Sequence, residues 1–295
     1  MGPTPADHRL LMNVAYRLLG SVSEAEDAVQ DGYERWYALP DGRRDGIASP
    51  TAWLVTVTTR ICLDTLRSAR VRRERYVGQW LPEPVPDAAH WTSQQPSSRA
   101  ADPADRVSLD ESLSMALLVV LEAMTPPERV AFVLHDVFRY TFAEVGEIVG
   151  RSPQACRQLA ASARRRVRDA RGRSVPAQEH EHVVTAFHAA LETGDLDGLV
   201  ALLDPAARAI PDGGGRVAAA LDPIEGAEQI AQYLLGLYRR QPDLRFHLAT
   251  VNGQRGLVAR DGAGAALAIA AVAVEHGLIQ RLWVTRNPDK LAGWS

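Results

Sequence analysis

"RSPQACRQLAASARRRVRDARGR" (residues 151–173) holds eight arginines against one acid, Asp169. The whole chain of 295 residues has a formal net charge of -3, so positive charge is concentrated here. Set on a helix, Cys156, Leu159, Ala160, Ala163 and Val167 share one face, and Arg157, Arg164, Arg168 and Arg171 line another. A helix C-terminus gains on the order of 1 kcal/mol from one or two cations, and eight arginines exceed that use. Immediately upstream, "TFAEVGEIVG" (residues 141–150) reads as a short helix that a Thr-x-x-Glu capping box opens and Gly150 stops. Ser152 and Pro153 start the next helix after a very short turn. The pair predicts a helix-turn-helix, with Val145 and Ile148 packed under the second helix. Gln154, Arg157 and Gln158 occupy its first two turns, the end that a recognition helix presents to base edges, where Arg suits guanine and Gln suits adenine. Arg164, Arg165 and Arg168 then fall beside phosphates, adding affinity and little sequence information.

Before this module, "PEPVPDAAHWTSQQPSSRAADPADR" (residues 82–106) is rich in proline and serine and has no apolar period, which predicts an extended or disordered linker. Helices resume at "SLDE" (108–111) and "TPPE" (125–128), two further capping boxes. The first 77 residues read as helices. "SVSE" (21–24) caps a helix over 24–38 whose Ala25, Ala28, Val29, Tyr33 and Trp36 lie on one side. "DGRRDGIASP" (41–50) reads as a loop, followed by a long helix over 51–76. That helix is apolar on one face upstream and carries six arginines between Arg60 and Arg75. Arginines interleaved with Trp53, Tyr76 and Trp80 suit nucleic acid, through phosphate contact and base stacking.

Beyond residue 176 the character changes. Helices over 181–192, 196–203 and 226–240, a glycine-rich hairpin "PDGGGRV" (211–217), and strands over 244–251, 256–260, 265–274 and 278–285 predict an α+β domain with a curved sheet around helices. From His180 onward there are ten basic and thirteen acidic residues, so this part is mildly acidic. Carboxylate proton-transfer chemistry needs an Asp or Glu in an apolar pocket. The central strand "GAALAIAAVAVEH" (264–276) offers none inside, and the nearest polar candidates are Asp212 and His247. Asp212 is read as ordering the glycine turn and His247 as half exposed, so no enzyme is expected, and a small ligand in the barrel is the remaining use.

The composition, 46% hydrophobic and 23% charged, fits globular domains, and the length fits two or three of them. No apolar run reaches the ~18 residues of a membrane span, and "MGPTPADHRLLMN" is not a secretory signal. Two distant cysteines, Cys62 and Cys156, point to a reducing cytoplasm rather than a disulfide framework. No Cys or His pair has metal-ligand spacing, so no metal or cofactor is expected.

Taken together, these residues resemble the extracytoplasmic-function (ECF) sigma factors of bacterial RNA polymerase. "AYRLLGSVSEAEDAVQDGYERWY" (15–37) resembles the polymerase-clamp-binding helix of the sigma-2 domain, and "AWLVTVTTRICLDTLRSARVRRE" (52–74) the helix that opens and reads the -10 element. "MTPPERVAFVLHDVFRYTFAEVGEIVGRSPQACRQLAASARRRV" (124–167) resembles the sigma-4 domain that reads the -35 element. "VGQWLPEPV" (77–85), "DGGGRV" (212–217) and "NPDKL" (287–291) are similar to signature stretches of ECF factors that carry a C-terminal SnoaL-like domain, an α+β cone barrel. Two positions depart: Arg60 stands where many members have asparagine, and Arg216 replaces the more familiar lysine after the glycines.

The resemblance implies a multidomain protein with two all-α domains and the cone barrel. These are a sigma-2 domain over 1–80, a flexible linker over 81–107, a sigma-4 helix-turn-helix domain over 108–173 and a SnoaL-like regulatory domain over 179–295. It implies contact with the clamp of core RNA polymerase through Asp27, Gln30 and Asp31, and of the sigma-4 domain with the flap on the -35 side. It implies reading of promoter DNA at -10 through Trp53, Arg60, Asp64, Arg67 and Arg70, with the loop over 41–49 holding a flipped base. It implies a regulatory interface made by Trp80, Leu81, Pro82, Glu83 and Pro84, by Asp212, Gly213, Gly214, Gly215 and Arg216, and by Asn287, Pro288, Asp289, Lys290 and Leu291. An anti-sigma factor or a small ligand at the C-terminal domain completes the partner classes, with no membrane. The alternative is a one-component helix-turn-helix regulator with a ligand-sensing barrel, which would leave the first 77 residues without a role.

Overall fold

A computed structural model describes residues 3–73, 76–86, 109–170, 175–217 and 222–294, without the side chains of 69–73 and 109–110. The chain forms two compact units: Met1–Glu74 with Ala89–Leu113 and Leu117–Ala170, and Arg75–Ala88 with Ser114–Ala116 and Arg171–Ser295.

The first unit is helical. α1 (Pro5–Leu19) starts at a capping box that the sequence reading passed over: Thr4 N donates to Asp7 Oδ2 at 2.7 Å and Asp7 N to Thr4 Oγ1 at 3.3 Å. α2 (Val22–Tyr37) has Ser21 at its N-cap and buries Ala25, Ala28, Val29 and Trp36, as the spacing predicts; Tyr33 is half-buried. The segment expected as a loop over 41–50 contains one helical turn, α3 (Asp41–Arg44), closed by an Arg44–Asp41 ion pair three residues apart. α4 (Pro50–Arg73) ends before Tyr76, which belongs to the other unit. After α5 (Leu109–Leu113) and α6 (Met115–Glu122), α7 (Pro126–Phe132) opens on the expected Thr125–Glu128 box and runs into a wider π-type turn (Val133–Val137). Ser108, the cap of the box expected at 108–111, lies outside the described residues.

α8 (Phe142–Val149) and α9 (Pro153–Ala170) form the predicted helix-turn-helix. Gly150 closes α8 at φ 72°, and a Cβ on Gly146 would stand 2.6 Å from the Arg151 carbonyl, so the tight turn requires glycine at both positions. Cys156, Ala160, Ala163 and Val167 are buried as expected, and neither cysteine is in a disulfide.

Among the described residues of this unit, Arg17 and Arg129 are buried arginines. Arg17 donates from Nε to Ser112 Oγ at 2.8 Å and from Nη1 to Asn13 Oδ1 at 2.8 Å. Arg129 donates from Nη1 to the Leu18 carbonyl and to Glu122 Oε1, both at 2.7 Å. Burial pulls the Arg129 pKa down to about 9, which leaves it charged at neutral pH.

The second unit is α+β. α10 (Ala177–Thr193) and α11 (Leu196–Leu202) lead into β1 (Leu203–Asp212), and then come β2 (Ile224–Glu225), α12 (Ala227–Arg240), β3 (Arg245–Val251), β4 (Gln254–Arg260), β5 (Ala266–Glu275) and β6 (Leu278–Thr285). The six strands have the order β2-β1-β6-β5-β4-β3, with β1 and β6 parallel and the other pairs antiparallel. Register shifts at Ala259/Arg260 and Ala273/Val274 are bulges that let the sheet curl around the helices. The expected glycine-rich hairpin stretch follows β1 on the way to β2, and the two strands pair antiparallel; β1 itself is a strand the sequence reading missed because Pro205 and Pro211 interrupt its pattern. Phe187, Leu191, Ile230, Leu257 and Leu282 centre the core between helices and sheet. Two 3-10 turns, Pro288–Lys290 and Ala292–Trp294, end the chain.

Candidate nucleic-acid interface and linker clasp

On α9 the sequence-predicted base-reading residues Gln154, Arg157 and Gln158 are all exposed. Arg157 is aimed by its neighbours: its guanidinium lies 5.3 Å from the Phe142 ring centre, and Phe142 stacks on His135 at 3.8 Å. His135 Nδ1 donates to the Tyr140 carbonyl at 2.7 Å, and burial holds its pKa below the ordinary histidine value. Arg165 and Arg168 are exposed. Arg164 is not a bare phosphate contact. Its Nε donates to Asp136 Oδ1 at 2.6 Å, with Asp136 buried in the π-type turn. Glu128 is held below the usual carboxylate range although burial alone would raise it; bonds from Ser162 and Thr125 outweigh that cost and tie α9 to α7.

On α4, Arg60 is engaged within its own unit: Nη2 donates to the Glu147 carbonyl at 2.8 Å and Nε to that of Ile148 at 3.3 Å, at the C-terminal end of α8. Cations are favoured at that end of a helix. Asp64 and Arg67 are exposed and pair with each other at 2.8 Å. Trp53 is half-buried, edge-on to Trp36 at 5.3 Å, so part of its ring is core. The Arg70 side chain lies outside the described residues. Asp27, Gln30 and Asp31 are exposed on one side of α2, where Gln30 bonds Glu34, an acid the sequence reading did not include.

The residues expected at the regulatory interface converge on Asp212. Its carboxylate is fully buried and accepts four bonds: from Tyr76 Oη at 2.6 Å, Leu81 N at 3.0 Å, Gly214 N at 3.1 Å and Lys290 Nζ at 2.7 Å. Lys290 also donates to the Leu81 carbonyl and sits 4.3 Å from the Trp80 ring centre and 5.2 Å from that of Tyr76. Burial, then the bond to Asp212, pushes the Tyr76 phenol well above its ordinary pKa. Asn287 Nδ2 donates to Tyr76 Oη at 2.9 Å and lies so close to Gly214 (φ 61°) that a Cβ there would be 2.4 Å away. Glycine at 214 therefore serves both its backbone conformation and the approach of Asn287.

Leu81, Pro82, Pro84 and Val85 are buried, and Glu83 is half-buried. Val85 exchanges two bonds with Asn252, N to Oδ1 at 3.2 Å and O from N at 2.9 Å, and Trp294 Nε1 donates to the Pro84 carbonyl at 2.9 Å. Of the remaining expected residues, Gly213 and Leu291 are buried. Pro288, Gly215, Arg216 and Asp289 are exposed, the last two paired with each other at 3.1 Å. Tyr76, Val85, Asn252 and Trp294 are the members the sequence reading did not assign. Tyr76, read above as a base-stacking residue, is instead part of this clasp, and Trp80, given above both as a stacking residue and at the regulatory interface, lies against Lys290 in it. The start of the segment read as linker, residues 81–86, is laid on the second unit; residues 87–108 lie outside the described residues. Among the described residues no group of acids, histidines and cysteines could hold a metal, and no helix is long and apolar enough to cross a membrane.

Three families match in order: Sigma-70 region 2 over residues 6–72, Sigma-70 region 4 over 114–167 and a SnoaL-like domain over 184–277. The ECF RNA polymerase sigma factor SigJ of Mycobacterium tuberculosis is 42% identical, over 96% of this chain and 90% of its own. SigG of the same species is 29% identical, over 83% of this chain and 69% of its own. The crystal structure of M. tuberculosis SigJ superposes with a TM-score of 0.74 at 36% identity, covering 98% of this chain and 96% of that one. With both sigma regions, the cone-shaped domain and this likeness over nearly the whole length, the chain belongs to the ECF RNA polymerase sigma factors, in the form that carries a C-terminal SnoaL-like domain.

Proposed function

We propose that the chain docks on core RNA polymerase, directs it to one promoter class, and is governed by its own C-terminal domain through the clasp on Asp212. Region 2 meets the polymerase clamp through Asp27, Gln30 and Asp31 on α2, and region 4 meets the flap. Region 2 reads the -10 strand with α4 through Trp53, Arg60, Asp64, Arg67 and Arg70, with α3 and the residues after it beside the flipped base. Gln154, Arg157 and Gln158 read -35 base edges, and Arg165 and Arg168 face phosphates; Arg164 positions α9 through Asp136. The C-terminal domain acts as a regulator, open to a small ligand or an anti-sigma factor, and not as an enzyme. Its interface with the chain before region 4 comprises Trp80 to Pro84, Asp212 to Arg216 and Asn287 to Leu291.

The observation that carries the regulatory reading is the burial of Asp212 and Lys290 against Leu81. A buried ion pair with every oxygen bonded is a specific lock rather than a source of net stability. Residues 76–86 lie between α4 and the first helix of region 4. Releasing eleven residues adds up to ~36–40 Å of chain between the two DNA-reading modules. Run-off transcription with purified core polymerase tests this, comparing the full chain with versions ending at Pro176 and at Arg286. Output is expected to differ among the three; identical output at saturating core enzyme would remove the regulatory role.

Arg157→Ala is expected to weaken binding to a duplex carrying the cognate -35 sequence by about 5- to 150-fold, since one bidentate base contact is worth ~1–3 kcal/mol. Binding to a scrambled duplex should change far less. Fluorescence anisotropy with both duplexes at one salt concentration checks this, and equal loss on both would make Arg157 a phosphate contact.

A further inference from the structure

Between α7 and α8 the chain takes a detour that ends on one aromatic ring. It leaves α7 through the π-type turn Val133–Val137, and Arg139 then adopts the left-handed region at φ 66°. Left-handed residues other than glycine and π-type turns each carry a backbone cost and recur at functional positions. Hydrogen bonds offset the cost here. Tyr140 N donates to the Leu134 carbonyl at 2.9 Å, Arg139 Nη1 to the Asp136 carbonyl at 2.7 Å and His135 Nδ1 to the Tyr140 carbonyl at 2.7 Å. The last of these fixes the imidazole. The Thr141–Glu144 capping box fixes the first turn of α8, with Thr141 N donating to Glu144 Oε2 at 2.6 Å, and Phe142 is the first helical residue after the cap. Its ring stacks on that of His135 at 3.8 Å, with 22° between the planes.

The ring held in this way carries Arg157. The guanidinium lies 5.3 Å from the Phe142 ring centre, on a side chain that is otherwise exposed. Burial first, and then the charges of Arg164, Arg139 and Arg157, hold the His135 pKa below the ordinary histidine value. At neutral pH His135 is therefore an uncharged ring, and no imidazolium competes with Arg157 for the π face of Phe142. An exposed arginine has many rotamers to lose when it is fixed on a base. A contact with a fixed ring removes part of that freedom before DNA arrives.

We infer that Phe142 is a specificity-determining residue of -35 recognition, a positioning residue that acts through Arg157 by holding its guanidinium where it reads a guanine. The inference rests on the reading of α9 as the -35 helix and adds to it a residue of α8. Bidentate reading of guanine needs the guanidinium fork on O6 and N7 together, so discrimination depends on orientation as well as on charge. A misplaced arginine still neutralises phosphate. Loss of the ring should therefore lower discrimination at one base pair and leave affinity for DNA at large. Were the ring a resting place that Arg157 must leave on binding, the effect would have the opposite sign.

The test uses the full chain on core polymerase and a promoter fragment randomised over the base pairs around -35, with the bound DNA selected and sequenced. Arg157→Ala should remove the guanine preference at one position, which identifies the base pair that Arg157 reads. Phe142→Leu keeps an apolar side chain and removes the π face. It should lower the preference at that same position by roughly two- to fivefold, the weight of an exposed cation–π contact. Phe142→Tyr, which keeps the π face, should retain the preference. In the Arg157→Ala background Phe142→Leu should change nothing further at that position. Phe142→Met replaces Phe142→Leu if circular dichroism shows that the latter loses helix. An unchanged or increased preference in Phe142→Leu, equal flattening at every position, or the same loss in Phe142→Tyr overturns the positioning role. If Arg157→Ala leaves every position unchanged, base reading by Arg157 falls and the positioning role falls with it, so the two failures are distinguishable.

Discussion

Lys290→Met is expected to lower the melting temperature of the C-terminal unit by roughly 10–20 °C and to free residues 76–86 for proteolysis. The substitution leaves the Asp212 carboxylate fully buried without its cation, while the donors from Tyr76, Leu81 and Gly214 remain. Breaking a buried pair from one side costs ~3–5 kcal/mol, and a unit of this size shifts by roughly 4 °C per kcal/mol. Asp212→Asn alone should also destabilise. The double variant Asp212→Asn/Lys290→Met should recover much of the loss, because neither member is then left charged and alone. Lys290→Arg should not rescue. The ammonium is a compact group that reaches Asp212 Oδ2 and the Leu81 carbonyl between the Trp80 and Tyr76 rings, and a planar guanidinium cannot take that place. Scanning calorimetry and chymotrypsin cleavage after Tyr76 and Trp80 give the two readings. Additive melting effects in the double variant would show that the pair is not coupled.

The difference between Lys290 and the arginines around it shows how far the sequence could be read. Lys290 is the single lysine of a chain with 33 basic residues, and a lysine kept against that bias signals a task that arginine cannot perform. The periodicity of residues 151–173 fixed the buried face of α9 correctly because 3.6-residue spacing is a local property. The four bonds on Asp212 were not legible in the same way. Tyr76 is 136 positions away and Leu81 131, and the aromatic-arginine interleaving around Tyr76 suggested a nucleic-acid surface instead. Asn252-Gly253 is a strong hairpin signal, and Asn252 does turn the chain there with φ 51°, but nothing local says that its side chain also holds Val85. β1 escaped because two prolines interrupt it, and its pairing with β6 is parallel, a long-range contact that no turn announces. Arg60 and Arg164 had the right residue type for DNA; only the folded unit shows Arg60 on the α8 carbonyls and Arg164 on Asp136.

Arg129→Met is expected to loosen the packing of region 2 on region 4, to enlarge the protein in solution and to raise transcription when core polymerase is limiting. In the first unit the helix assigned to -10 reading touches the helix-turn-helix through Arg60, and Arg129 bridges α7 to the Leu18 carbonyl at the end of α1 and to Glu122. Elements named for positions -10 and -35 are centred 25 base pairs apart, about 85 Å at the ~3.4 Å rise of duplex DNA. Two modules in direct contact cannot reach both, so promoter reading requires the unit to open. Removing the buried guanidinium leaves the Leu18 carbonyl and the part-buried Glu122 without it, a loss of ~3 kcal/mol that methionine packing offsets only partly. A loss of that size moves the closed-to-open balance by roughly 100-fold, since ~1.4 kcal/mol is a factor of ten. Small-angle X-ray scattering should give a larger radius of gyration, and run-off transcription should reach half-maximum at less core enzyme. Circular dichroism separates opening from melting: helical content should stay unchanged. If helix content falls, Ser112→Ala, which removes one acceptor of Arg17 and is a milder cut, gives the same test. An unchanged radius together with an unchanged polymerase titration would mean that the packed arrangement places no brake on initiation.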